Sequence, residues 1–148
     1  MHVRDWMTSP AVSLPADTRA VDALELMAVR KIRRVPVLEG DALVGILTQG
    51  DLLAALGPSE SDPKRVGLRL GDLMTAAVRT ARPDDRVEIA ARTMLDHGVS
   101  GLPVVDGGRV VGLITESDLF EAFARVMARV RELAAAQDLL ALRRPRRA

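Results

Sequence analysis

The chain says nearly the same thing twice, and that duplication limits its possible folds more than any other feature. Residues 5–56 slide onto residues 72–123 at a constant offset of 67 without a gap, and roughly a third of the aligned positions are identical. Asp5, Met7 and Thr8 fall on Asp72, Met74 and Thr75; Ala23 and Met27 on Ala90 and Met94; Pro36 and Val37 on Pro103 and Val104. GILTQGD, from Gly45, falls on GLITESD, from Gly112. Each copy holds about 50 residues, too few to bury enough surface alone, so the two are expected to pack against each other. The expected division is a first repeat at 1–56, a Gly-, Pro- and Ser-bearing linker at 57–65, a second repeat at 66–124, and a helical extension with a basic tail at 125–148.

The spacing within each copy reads β-α-β-β-α, which makes the fold class α+β. An extended piece near AVSL (11–14) precedes RAVDALELMAVR (19–30), where Ala20, Ala23, Leu24, Met27 and Ala28 share a helical face behind an Asp17-Thr18 start signal. RVPVLE (34–39) and ALVGILT (42–48) are strand-like runs on either side of Gly40-Asp41, a hairpin turn. Helical spacing returns after Thr48. The second copy follows suit, but its last helix meets no Pro or Gly from Ser117 to Leu142. Leu119, Phe123, Val126, Val130, Leu133 and Leu140 give that helix a near-heptad apolar stripe, which needs either the chain's own body or a second copy as cover.

Thr-x-x-Asp before an apolar run is a capping box, so Thr48 with Asp51 and Thr115 with Asp118 are expected to start helices. Capping leaves the glycine three positions before each threonine unexplained, and also the proline nine positions before that glycine. A ligand accounts for more. A strand that ends in threonine and opens a helix offers free N–H groups to a phosphate, and a carboxylate one turn on can accept from both ribose hydroxyls. Glycine in the strand allows close approach of a ligand or another backbone. Apolar residues beside Pro36 and Pro103 would sandwich a flat base.

Composition removes several alternatives. No apolar run is long enough to span a bilayer, and MHVRDWMTSP lacks the order of an export signal, so the expected location is cytoplasmic. The absence of cysteine excludes disulfides and thiolate chemistry. His2 and His97 make no metal site, and Ser100 has neither a nucleophile elbow nor a base, so no enzyme is indicated. A net charge of +1 and the lack of tyrosine speak against nucleic acid, although RRPRRA at the end is strongly basic. Met27, Met74 and Met94 read as core, and Trp6 as a plug for the N-terminal turn.

The two copies resemble cystathionine β-synthase (CBS) domains, and the tandem resembles the CBS pair called a Bateman module. The residues that carry the resemblance are DWMT and DLMT (5–8, 72–75), the helices ending at Met27 and Met94, RVPV and GLPV (34–37, 101–104), GILTQGD and GLITESD. It implies two units packed through their sheets into one pseudo-two-fold module, modules pairing into dimers, and clefts for AMP, ADP, ATP or S-adenosylmethionine bound without a covalent link. Carried onto this chain, it makes Asp51 and Asp118 ribose ligands and Thr48 and Thr115 phosphate-side ligands. Val12, Val35 and Pro36 would line the base pocket of the first site, and Val78, Leu102 and Pro103 that of the second. RKIRR (30–34) stands where the second copy has HGVSG (97–101), so Arg33 and Arg34 are the candidates for an anionic group.

The function expected from all this is a ligand-sensing regulatory module that signals to a partner protein. The alternatives are a dimerisation adaptor with vestigial clefts, and a nucleic-acid-associated regulator acting through the arginine tail.

Overall fold

A computed structural model describes residues 1–58 and 62–143. The arginine-rich end from residue 144 on, and linker residues 59–61, lie outside the described residues. After a 3-10 turn at Val3–Asp5, the first copy forms β1 (Leu14–Pro15), α1 (Ala20–Arg30), β2 (Arg34–Glu39), β3 (Ala42–Thr48) and α2 (Gln49–Leu56). Two one-turn helices follow, α3 (Pro63–Val66) and α4 (Leu70–Leu73), and then α5 (Val87–His97), β4 (Gly101–Asp106), β5 (Arg109–Thr115) and α6 (Glu116–Leu142).

The hairpins form as the alternation predicts. β2 pairs antiparallel with β3 and β4 with β5, each with a bulge at the same place, between Val37 and Leu38 and between Val104 and Val105. β1 lies parallel to β2 as a third strand. In the second copy that strand shrinks to a single bridge from Ala81 to Val104. The helix starts differ from expectation in one respect. Asp17 and Thr18 do not cap α1; Arg19 is its N-cap, and the guanidinium pairs with Asp22 (Nε to Oδ2, 2.8 Å). Both first helices end in a left-handed residue, Lys31 (φ 54°) in one copy and Gly98 (φ 62°) in the other.

The core is two clusters, and neither belongs to one stretch of sequence. Ala20, Ala23, Met27, Val35, Val37, Leu47 and Leu52 fill the first together with Leu70, which comes from the second repeat; Leu73 and Met74 pack on its edge. Ala90, Met94, Leu102, Val104 and Ile114 fill the second together with Val3, which comes from the first; Trp6 and Met7 pack there. Each repeat therefore lends its opening arm to the other. The backbone hydrogen bonds repeat this exchange: Thr8 pairs with Leu113 on β5 (2.9 and 3.0 Å), and Thr75 with Ile46 on β3 (3.0 and 3.1 Å).

Candidate functional site

Both Thr-x-x-Asp motifs start helices, with different details. Thr48 Oγ1 accepts from the Asp51 N–H at 3.1 Å, and the Thr48 N–H donates to Asp51 Oδ2 at 3.0 Å, a complete capping box. At α6 the Thr115 N–H donates to Asp118 Oδ2 at 2.7 Å, but the Thr115 hydroxyl turns and donates to that same oxygen at 3.0 Å. Asp51 is exposed and Asp118 half-buried. In both carboxylates the cap uses only Oδ2, so Oδ1 points away from the capping hydrogen bonds.

The two glycines before the threonines have a structural reason. A Cβ at Gly45 would stand 2.8 Å from Met74 Cβ, and one at Gly112 would stand 2.7 Å from Met7 Sδ and 2.8 Å from the Thr8 carbonyl oxygen. The glycines admit the exchanged arms, with a methionine seated on each. Close approach by another part of the chain was one of the two expected reasons, and it is the one the structure supplies.

The exchange brings residues of both repeats around Thr48 and Asp51. A cleft of about 190 Å³ opens there between β3 and α2 on one side and the arm Thr75–Arg79 with Gly98–Gly101 on the other. Val78, assigned from sequence to the second site, lies in this first one. Val12 sits on the other arm, four residues beyond the Thr8 pairing with the second repeat. Val35, Pro36, Leu102 and Pro103 are all fully buried in the hairpins. Val35 and Leu102 pack into the two core clusters, and Pro36 and Pro103, on the opposite face of their strands, are equally covered, so none of the four presents surface to a base.

Of the two arginine candidates, Arg34 lines the cleft and Arg33 is exposed outside its lining. Arg34 Nη2 donates to Ser100 Oγ at 2.5 Å, and its stem crosses Gly101, where a Cβ would lie 2.8 Å from Arg34 Cδ. Positions 34 and 101 correspond in the two repeats and meet at the pseudo-two-fold axis. A long side chain fits from one side only if the other carries none. Arg79 lines the same cleft, although no motif in the sequence marks it and its repeat counterpart is Val12. One carboxylate, the hydroxyls of Thr48, Thr75 and Ser100, two guanidiniums and the apolar Ile46, Val78 and Val99 thus share a small concavity. Such a set can bind a sugar diol and an anion beside a flat apolar group.

Among the described residues no group of His, Cys, Asp or Glu could hold a metal ion, and no helix is long and apolar enough to cross a membrane. The family model for the CBS domain matches twice, over residues 3–58 and 70–125. The chain belongs to the CBS domain family. Both matched CBS domains include the arm that is exchanged. The CBS pair of protein MJ0100, solved with 5′-methylthioadenosine and S-adenosyl-L-methionine, superposes with a TM-score of 0.74 at 28% identity, covering 84% of this chain and 96% of that one. CBSX2, solved with AMP, gives 0.73 at 33% identity over 85% and 98%. The L-aspartate semialdehyde sulfurtransferase of Methanocaldococcus jannaschii is 30% identical over 123 residues, 82% of this chain but only 23% of its own length. This chain also spans 47% of protein MJ1225 of the same organism, so these two relatives carry much that this CBS pair does not.

Proposed function

We propose that this CBS pair is a regulatory module that binds a phosphorylated adenosine nucleotide between its repeats, works as a homodimer and passes cleft occupancy to a partner protein. One observation carries the reading: Thr48, Asp51, Arg34 and Arg79 line one cleft to which both repeats contribute. Asp51 Oδ1 would accept from the ribose hydroxyls while the cap holds Oδ2. Arg34, released from Ser100, and Arg79 would hold phosphate. AMP, ADP and ATP suit two guanidiniums better than S-adenosylmethionine, whose sulfonium and ammonium are positive. Val78 and Val99 would flank the base. Thr115 and Asp118, with Val12, would form a second and weaker site, because Asp118 is half-buried and already accepts from both the amide and the hydroxyl of Thr115. The relatives solved with AMP, methylthioadenosine and S-adenosylmethionine support an adenosine ligand. No reaction is assigned to the module.

Thermal unfolding of ligand-stripped protein with AMP, ADP, ATP, methylthioadenosine and S-adenosylmethionine tests this. A ligand at a hundred times its Kd stabilises by about 2.7 kcal/mol. The phosphorylated members should raise the midpoint most, and Asp51→Ala should abolish most of the rise. A midpoint unmoved by the whole panel overturns the reading.

A further inference from the structure

α2 and α6 start alike but end differently. α2 stops at Gly57 (φ 61°), whereas the corresponding position in α6 is Ala124, and the helix runs on to Leu142. Ala122 is its last buried residue, so from Phe123 on every described residue of α6 is exposed. Beyond Arg125, whose guanidinium lies over the Trp6 ring at 5.1 Å, about 17 residues project from the body, roughly 25 Å at 1.5 Å per residue.

That projection is not polar all round. Phe123, Val130 and Gln137 recur every seven residues, as do Val126, Leu133 and Leu140, and the two series interleave at spacings of three and four. This is the a/d pattern of a helical seam, with Phe123, Val130 and Gln137 at a and the others at d. Phe120, Met127 and Ala134 stand beside it at e and widen the stripe. The stripe continues without a break into a groove between α5 and α6, where Leu95 is 75% and Phe120 70% exposed. The uncovered apolar side chains from Phe120 to Leu140 add up to an area of the same order as the ~800 Å² that one partner contributes to a standard interface.

The opposite face argues against lipid as the cover. Its charges are of both signs, and four of them pair within the helix, Arg125 with Glu121 at 3.0 Å and Arg129 with Glu132 at 3.1 Å. An interfacial membrane helix instead carries a row of unpaired cations there. Gln137 argues for a copy of the same helix. A lone polar side chain at an a position faces its own counterpart only in a parallel, in-register pair, where the two amides hydrogen-bond each other.

We propose that the projecting part of α6 pairs with α6 of a second copy of this chain, parallel and in register, with Val126, Leu133 and Leu140 meeting their own counterparts. The proposal rests on the homodimer of the functional reading and gives it a place. It is independent of nucleotide binding, so its test is run without ligand.

The natural absence of cysteine makes a disulfide scan direct. Single cysteines replace Val126, Leu133 and Leu140 in turn, with Ala128→Cys on the outer face as control. After mild oxidation all three d-position variants should give at least fivefold more linked dimer than the control. An antiparallel pair can link at most one of the three, so linkage at one position or none overturns the proposal. Light scattering should give a dimer mass for the unmodified protein and a monomer mass for Val130→Asp/Leu133→Asp. Those residues are exposed, so the variant should keep its thermal midpoint under dilute conditions where the parent is also monomeric. A monomeric parent at tens of micromolar, or a dimer that survives both aspartates, overturns the seam. So does a monomer that co-sediments with phosphatidylserine vesicles and loses that binding with the aspartates.

Discussion

Arg34 of the first repeat reaches across the pseudo-two-fold axis and donates to Ser100 of the second at 2.5 Å, over a glycine that leaves room for its stem. The contact is between repeats and lies within the cleft, so the same side chain serves as a tie and as a candidate anion ligand. Arg34→Ala should weaken AMP binding about 10- to 100-fold, the worth of one charge-assisted hydrogen bond of about 1.5–3 kcal/mol. Methylthioadenosine, which has no phosphate, should lose less than threefold. Calorimetric titration of both ligands against both proteins checks the contrast; an equal loss for the two would mean that the arginine shapes the cleft without meeting phosphate.

The two strand glycines should be comparably sensitive. An added methyl group at Gly45 stands 2.8 Å from Met74 Cβ, an atom tied to the backbone, and at Gly112 it stands 2.8 Å from the Thr8 carbonyl oxygen, fixed by its hydrogen bond to Leu113. Gly45→Ala and Gly112→Ala should each cost about 2–3 kcal/mol. Urea denaturation of the pair measures both. Met74→Ala in the Gly45→Ala background should restore less than it removes, since it opens a gap in the first core cluster.

Lys31 ends α1 in the left-handed region at the position where the second repeat has Gly98. Side chains other than glycine pay roughly 1 kcal/mol there. Lys31→Gly should therefore stabilise the protein by about that amount, offset in part by the greater freedom of glycine in the unfolded chain. An unchanged or lowered unfolding midpoint would show that the lysine makes a compensating interaction.

Leu70 is fully buried in the core cluster of the repeat to which it does not belong. Leu70→Ala should cost about 2–5 kcal/mol. Because the arms cross, the loss should move one cooperative transition and should not split it into two. Coincident fluorescence and circular dichroism curves would show this, Trp6 reporting on the second cluster and the helices on both. Two separate transitions in the variant would mean that the repeats fold independently.

How much of this was legible in the sequence follows from the range of the forces. The hairpins at Gly40 and Gly107, the capping boxes and the length of α6 are set by neighbours a few residues apart, and residue spacing reveals them. The second counterpart of β1, expected from the repeat, keeps only the bridge at Ala81, because Pro83 stands where Ala16 donates its N–H to the Leu38 carbonyl, and a proline has none to give. The arm exchange was invisible, since nothing local distinguishes Thr75 pairing with Ile46 from Thr75 pairing within its own copy. For that reason spacing pairs Val78 with its own repeat and gives no mark to Arg79, whereas both line the cleft beside Thr48. The contrast between RKIRR and HGVSG reads in the sequence as charge; in the fold it is also steric, a long side chain facing a missing one.

Val3 and Leu70 lie in each other's repeats, and this sets an order on how the protein can come into being. A growing chain that has emerged only as far as Leu56 lacks Leu70 and Met74, which close its first core, while its own Val3 and Met7 have nothing yet to cover. Neither half can mature on the ribosome ahead of the other, and the first arm must wait for β5, about a hundred residues later, before it finds its place.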